Sequence, residues 1–243
     1  MTVAASPDIS EPTEAESWKM FDRIARRYDF LNRLLSFRQD VSWRKRMIKC
    51  LPEGDSLAML DLATGTGDVL INIFEKSGRI GRGIGLDMSG GMLKFGQMKL
   101  RKKQLSDSLR LMRGDAMTMG LADNSFDVAT MSFGIRNVPD VPKALRDIHR
   151  VLKPGGRALI LEFSIPGNPI IRAGYLFYFR HILTRIGGLI SGDTKAYRYL
   201  NSTVEAFPYG EAFTSMMQDA GFDRIAAHEL TFGIATLYVG DKQ

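Results

Sequence analysis

The sequence is poor in the residues from which several kinds of site are built. Its one cysteine, Cys50, excludes an internal disulfide and a cysteine-held metal cluster, and points to a reducing, cytoplasmic setting. With no histidine beside it in the chain, that thiol reads as a packed side chain rather than a nucleophile. The three histidines, His149, His181 and His228, show no metal-ligand spacing, so no metal is expected. Residues 1–16 have neither a basic start nor an apolar centre; they fit neither a signal peptide nor a spanning helix, and a disordered tail is expected. Apolar runs free of charge are also missing. The greasiest stretch, 170–190, carries Arg172, Arg180, His181 and Arg185 and makes a poor membrane span.

Charge excludes less. A formal net charge of +6 and a pI near 9.5 admit nucleic acid, an anionic membrane surface or an acidic substrate. The basic residues are scattered, and no aromatic-basic stacking platform accompanies them, which argues against a nucleic-acid partner. The cluster 99–103 suits a solvated helix end.

What the chain does contain is a strand-like apolar run, 58–62, followed at once by Thr64-Gly-Thr-Gly-Asp68. Glycines after a strand let the backbone turn sharply, and the helix that follows from Asp68 turns its free N–H groups toward whatever lies over the turn. Asp68 is read as a cap for that helix or a contact for an amine, and Asp61 as orienting the turn. The dinucleotide fingerprint would need a third glycine where Leu70 stands, and a phosphate loop would need a following Gly-Lys-Ser/Thr that is absent. An acid does occur at the end of the next apolar run, Gly83-Ile-Gly-Leu-Asp-Met88. Asp87 lies 22 residues after Gly65, near the spacing at which a carboxylate holds ribose hydroxyls. Ligands of open α/β sheets lie at the carboxyl ends of the strands. Gly65, Thr66, Gly67, Asp87, Met88, Asp115, Ala116 and Ser132 are therefore expected around one cleft. A glycine turn without a phosphate grip matches a nucleoside, and the pattern is that of S-adenosylmethionine.

Strand-like segments at 58–62, 83–88, 109–116, 126–133 and 157–163 alternate with helical ones, which implies parallel pairing. Two late strands, 223–230 and 234–239, joined at Thr231-Phe-Gly233, read as an antiparallel hairpin. The expected fold is α/β: a Rossmann-like, doubly wound, seven-stranded sheet, parallel except for that hairpin. One domain spans 17–243, with a helical segment at 17–50 and a second at 164–205. In the latter, Ile171, Tyr175, Tyr178, Ile182, Ile186 and Leu189 recur at helical spacing. This face is either plain core or the wall of a pocket for a long apolar substrate that also touches a bilayer. Trp18, Phe21, Ile24 and Tyr28 likewise share a helix face.

Tyr28-Asp29 with Asn32, Leu35-Ser36, Trp43-Arg44, Leu60-Asp-Leu-Ala-Thr-Gly-Thr-Gly-Asp68, Ser132-Phe-Gly-Ile-Arg-Asn137 and Arg150-Val-Leu-Lys-Pro-Gly-Gly-Arg157 together resemble the ubiquinone/menaquinone biosynthesis C-methyltransferase family, over about 18–239. The glycine loop is common to many methyltransferases; the Ser-Phe-Gly-Ile-Arg-Asn and Tyr-Asp-x-x-Asn pieces are the specific ones. Arg38 departs from the pattern, which has glycine there. The resemblance implies S-adenosylmethionine-dependent C-methylation of a prenylated quinol: demethylmenaquinol to menaquinol, or 2-methoxy-6-polyprenyl-1,4-benzoquinol in the ubiquinone route. A methyltransferase for another small molecule, and a non-catalytic adenosine-binding module, stay open beside it. It also implies a lid at 17–50 that brings Tyr28 and Asn32 to the cleft. Methylating an aromatic carbon requires a ring hydroxyl to lose its proton and a donor aimed at the charge left behind. Arg136 and Asn137, just past the fourth strand, suit that task by position and by the resemblance; Tyr28, or a water near Asn137, is assigned to proton removal. A homo-oligomer and a place at the inner face of the membrane are compatible with the sequence.

Overall fold

The computed structural model describes residues 18, 19, 22, 36, 38–183, 185 and 194–243, with backbone alone for 194–198 and 200. A seven-stranded sheet forms the centre: β1 (Leu57–Leu62), β2 (Ile80–Asp87), β3 (Leu109–Arg113), β4 (Phe126–Ser132), β5 (Leu152–Phe163), β6 (Asp223–Leu230) and β7 (Ala235–Asp241), in the order β3-β2-β1-β4-β5-β7-β6. β1 to β5 pair in parallel, and β7 runs antiparallel between β5 and β6. Strand order reverses at β1/β4, so a crevice opens there at the carboxyl ends.

Helices cover both faces: α1 (Gln39–Lys49), α2 (Asp68–Ser77), α3 (Gly90–Lys102), α4 (Val141–Val151), α5 (Pro169–Phe177), α6 (Thr194–Ala206) and α7 (Glu211–Asp219). β1 is buried along its whole length, because it sits mid-sheet between two helical layers. One core packs α4 and α7 on the sheet through Leu145, Ile148, Phe213 and Met217; the other packs α1 and α2 through Trp43, Met47, Leu70 and Ile73. Among the described residues, no helix is long and apolar enough to cross a membrane.

Several local expectations shift. β5 begins at Leu152 rather than 157, since Leu152 already pairs with Phe126 before a register slip. Over 169–183 the helix widens to a π-turn at Tyr178–Leu183, and the buried stripe becomes Tyr175, Phe179 and Leu183, leaving Ile182 exposed. A wider turn carries each successive side chain less far round the axis than the α-period anticipates, so residues four apart stay on one side. The Ile186 and Leu189 positions of that stripe lie outside the described residues. Lys99 is not on a solvated face: its Nζ donates to Asp68 Oδ1 at 2.6 Å and Thr66 Oγ1 at 2.7 Å. Arg38 sits at φ 62°, as the N-cap of α1, in the left-handed region where a glycine would be unstrained.

Arg150 and Arg157 are cross-braces. Arg150 donates to Met119 O (3.0 Å), Leu121 O (2.8 Å), Asp147 (2.7 Å) and Asp123 (2.5 Å), pinning the β3–β4 connection to α4. Arg157 grips Asp241 with two hydrogen bonds, 2.6 and 3.0 Å, and donates to Cys50 O at 3.1 Å, tying β5 to β7 and to the end of α1.

Gly96 lets α3 pass close to the glycine turn: a Cβ there would lie 2.5 Å from Leu111 Cδ1 and 3.0 Å from Thr66 O. Gly96→Ala should therefore destabilise the protein by about 1 to 2 kcal/mol, overpacking outweighing the better helix propensity of alanine. Urea unfolding checks this; an unchanged midpoint would mean the two elements separate freely.

Candidate active site

β1 ends in a turn whose backbone bends through left-handed positions at Ala63 (φ 47°), Gly65 (57°) and Gly67 (76°) before α2 starts. Two carboxylates shape it. Asp61, fully buried, accepts from Thr64 Oγ1 at 2.6 Å and Thr130 Oγ1 at 2.5 Å, joining the turn to β4. Burial lifts its pKa to about 6, against the pull of those two hydroxyls. Asp87, at the end of β2, accepts from Gly65 N at 2.8 Å through Oδ2 and from Ser89 N at 2.8 Å through Oδ1. Burial raises its pKa as well, and the backbone N–H groups of Ser89 and Gly65 oppose the shift.

Over this turn lies a cavity of about 290 Å³. Of the residues expected at the cleft, Gly65, Asp87, Met88, Asp115, Ala116, Ser132 and Asn137 line it. Thr66 and Gly67 do not: Thr66 is turned to Lys99, and Gly67 donates to Thr64 O at 2.8 Å inside the turn. Tyr28 and Asn32 lie outside the described residues, while Trp18 of the same segment reaches the cavity wall. Asp22 supports that segment, accepting from Gly91 N at 2.9 Å and from Ser89 Oγ at the start of α3. Asp115 accepts from Met117 N at 2.8 Å, which sets the bend carrying Ala116.

The lining fits S-adenosylmethionine. A Cβ on Gly65 would meet nothing within 4 Å, so bare backbone faces the open space. The charged lining residues among those described are acids, Asp87 and Asp115, with no lysine or arginine to hold a phosphate. Each Asp87 oxygen has a second lone pair left for a ribose hydroxyl. Leu86, Met88, Met92, Ala116 and Met117 supply apolar walls of the kind an adenine ring requires.

The fourth strand ends in a second constrained loop. Phe133 has φ 57°, and Gly134 passes so near Ala63 that a Cβ on it would come into steric overlap. A 3₁₀ turn, Ile135–Asn137, then places Arg136 inward, where it is buried. Its Nη1 donates to Phe133 O at 2.8 Å and to Glu162 Oε1 at 2.5 Å, and its guanidinium lies 5.5 Å from the centre of the Phe163 ring. Glu162, completely buried, has its pKa raised by burial and pulled back by Arg136. Asn137 presents its side chain to the cavity, with Nδ2 toward Phe133 O at 3.5 Å. Glu162 escaped the reading of the sequence, although the signal was there: one acid inside the apolar strand Ala158-Leu-Ile-Leu-Glu-Phe163 must find a partner if buried. Phe133 also joins the cavity to an aromatic cluster, with ring centres 5.6 Å from Trp43 and 4.4 Å from Phe163.

Among the described residues, no three His, Cys, Asp or Glu side chains are placed to share a metal. His149 packs edge-on against Phe222, His228 faces Arg46 at 3.2 Å, and His181 lies beside Phe177.

Asp61 makes the stability of the turn pH-dependent. Its folded pKa near 6 exceeds the unfolded value of 3.8, so below pH 6 the folded state takes up a proton that the unfolded chain does not. Compared with Asp61→Asn, the wild type should gain about 2 kcal/mol of stability between pH 7 and pH 4.5, seen in urea titrations at the two pH values. Parallel curves for the two proteins would refute it.

Comparison with known proteins agrees with this geometry. Residues 10–242 match the ubiE/COQ5 methyltransferase family. A ubiquinone/menaquinone biosynthesis C-methyltransferase UbiE from Geotalea daltonii is 43% identical, over 92% of this chain and 95% of that one. A demethylmenaquinone methyltransferase from Thermus thermophilus is 43% identical, over 92% and 100%. Among solved structures, a SAM-dependent methyltransferase from Thermotoga maritima superposes with a TM-score of 0.64 at 21% identity, covering 93% of this chain and 100% of that one. The [4+2]-cyclase SpnF superposes with 0.69 at 14% identity, over 95% and 96%, so the fold alone does not name the reaction. The family does: with sequence match, strand order and nucleoside cavity in agreement, this chain belongs to the ubiE/COQ5 methyltransferase family and is an S-adenosylmethionine-dependent C-methyltransferase.

Proposed function

We propose that the enzyme methylates a ring carbon of a prenylated quinol, and that the acceptor is demethylmenaquinol, giving menaquinol. The observation that carries this reading is Phe133, which lines the cofactor cavity, is backed by the rings of Trp43 and Phe163, and offers a quinol ring an aromatic face to pack on. The relative from Thermus thermophilus is named for the same acceptor. The benzoquinol of the ubiquinone route is the second reading, supported by the name of the Geotalea relative.

When bound, S-adenosylmethionine supplies an electrophilic methyl carbon on a positively charged sulfur. The chain's own residues do the rest. Asp87 takes the ribose hydroxyls, the Asp115–Ala116 bend faces the adenine, and the turn at Gly65 lets the nucleoside approach the backbone. Thr66, Gly67 and Asp68 act from behind, fixing the turn and the start of α2. Arg136 and Asn137 hold the acceptor oxygen as it gains charge, Glu162 keeping the guanidinium in place. Tyr28, or a water held near Asn137, takes the proton. Trp18 on the cavity wall and Asp22 at the start of α3 support a covering, water-excluding role for the chain before α1, whereas α1 itself packs into the core through Trp43 and Met47.

The test is transfer of labelled methyl to total lipid extract, total RNA and purified demethylmenaquinol. Label in the quinol, and a loss of cofactor affinity of about 1 to 3 kcal/mol for Asp87→Ala by calorimetry, support the assignment. Label confined to RNA, or unchanged affinity, would overturn it.

The 164–205 segment also supports contact with an anionic bilayer. Ile170 is 83% exposed, Phe177 61% and, across the loop before β7, Phe232 78%; Arg172, His181, Arg185 and Arg180, the last paired with Glu205, lie on the same helical segment as the first two. Apolar side chains beside cations suit the interface of a negatively charged membrane. Exchanging Arg172 and Arg180 together for glutamate should lower flotation with phosphatidylglycerol vesicles several-fold; unchanged flotation would leave this face without a lipid role.

A further inference from the structure

Around the carboxyl ends of β4 and β5, three buried polar atoms lack a hydrogen-bond partner among the described residues: Arg136 Nε, Asn137 Oδ1 and the Tyr175 hydroxyl oxygen. Their residues are otherwise well anchored. Arg136 spends Nη1 on Phe133 O and Glu162, and Asn137 turns its amide nitrogen toward Phe133 O, which leaves its carbonyl oxygen pointing the other way. Tyr175 stacks on Phe179 with ring centres 5.2 Å apart and planes 25° apart. Burying a polar atom unpaired forfeits its hydration, and native proteins keep few such atoms. Three near one site indicate a missing partner.

These groups belong to one layer. Phe179 lies 6.3 Å from Phe163, the ring over which the Arg136 guanidinium sits. α6, which brings Tyr199 and Val204 into the cluster with Tyr175, touches the 135–137 turn. Arg136 and Glu162 are the charges acting most on the Tyr175 hydroxyl. Asn137 lines the cofactor cavity, so this layer adjoins the point from which a methyl would be delivered.

We propose that Tyr175 is a substrate-contacting residue: its hydroxyl and Arg136 Nε–H donate to the acceptor oxygen that gains charge during methylation, while Asn137 Oδ1 accepts from a hydroxyl still protonated. This rests on the reading that the acceptor is an aromatic quinol. Burial raises the tyrosine pKa above its ordinary value, so the group stays protonated and acts as a donor, not a base. The role of the 164–205 segment then includes polar recognition of the ring as well as an apolar wall.

Tyr175→Phe removes the hydroxyl and keeps the ring that stacks on Phe179. With demethylmenaquinol of short prenyl chain, kcat should fall about 100- to 1,000-fold, the range for loss of one donor to a developing oxyanion, with KM for S-adenosylmethionine unchanged. The melting temperature should not drop, because the hydroxyl has no partner to lose. Unchanged kcat, or a lowered melting temperature with full specific activity, would overturn the proposal. If the wild type does not methylate this quinol, the acceptor reading fails instead, and calorimetry with 1-naphthol as a bare aromatic-hydroxyl probe decides the role of Tyr175. Binding at least tenfold weaker in Tyr175→Phe supports it, and equal binding refutes it.

Discussion

The hydrogen bond from Gly65 N–H to the Asp87 carboxylate, 2.8 Å long, holds the turn after β1 against the end of β2, and the cavity exists because of it. Both elements end at the same level of a parallel sheet, where Leu62 pairs with Leu86 and Thr64 N–H donates to Leu86 O at 3.0 Å; past that point the carboxylate joins them. The carboxylate does so with one lone pair of each oxygen, on Gly65 and Ser89, and retains the other pair for a ligand. One side chain thus ties the strands together at the switch point and lines the cavity. Its neighbour Asp61 works on the hidden side of the turn, gripping Thr64 and Thr130, so that β1, β2 and β4 converge on the same few atoms.

Conformational constraint marks both loops in which these strands end. Ala63, Gly65 and Gly67 in the first loop and Phe133 in the second have positive φ, and Gly134 passes Ala63 too closely to carry a side chain. Left-handed backbone away from glycine costs free energy and persists only when the surroundings over-determine it. Here the two carboxylates and the Arg136–Glu162 pair supply that over-determination. The buried ion pair is better understood as a positioning device than as a source of stability, because desolvating both charges offsets most of their attraction.

The site has two halves of different origin. The nucleoside half is built from strand ends, small residues and acids. The half we propose for the acceptor is aromatic and comes from distant pieces of chain: Trp43 in α1, Phe133 after β4, Phe163 at the end of β5 and Tyr175 in α5. The first half could serve many reactions, and the cyclase with the same fold illustrates that breadth. The second half limits which acceptor can enter.

Local pattern carried the alternation of strands and helices, the hairpin, and the placing of Gly65, Asp87, Asp115, Ala116, Ser132 and Asn137 at one cleft, because in a parallel sheet every strand delivers its carboxyl end to the same side. Pattern also sufficed to reject phosphate, since an absent third glycine and an absent lysine are visible in one dimension. The orientation of Thr66 toward Lys99, the burial of Arg136 against Glu162, the outward swing of Ile182 at the π-turn and the meeting of Tyr175 with the Phe163 cluster came from the tertiary structure alone. Each depends on contacts between residues 16 to 33 positions apart, or on a change of helical pitch that packing imposes, and no periodicity read along the chain encodes which side chain meets which across that distance.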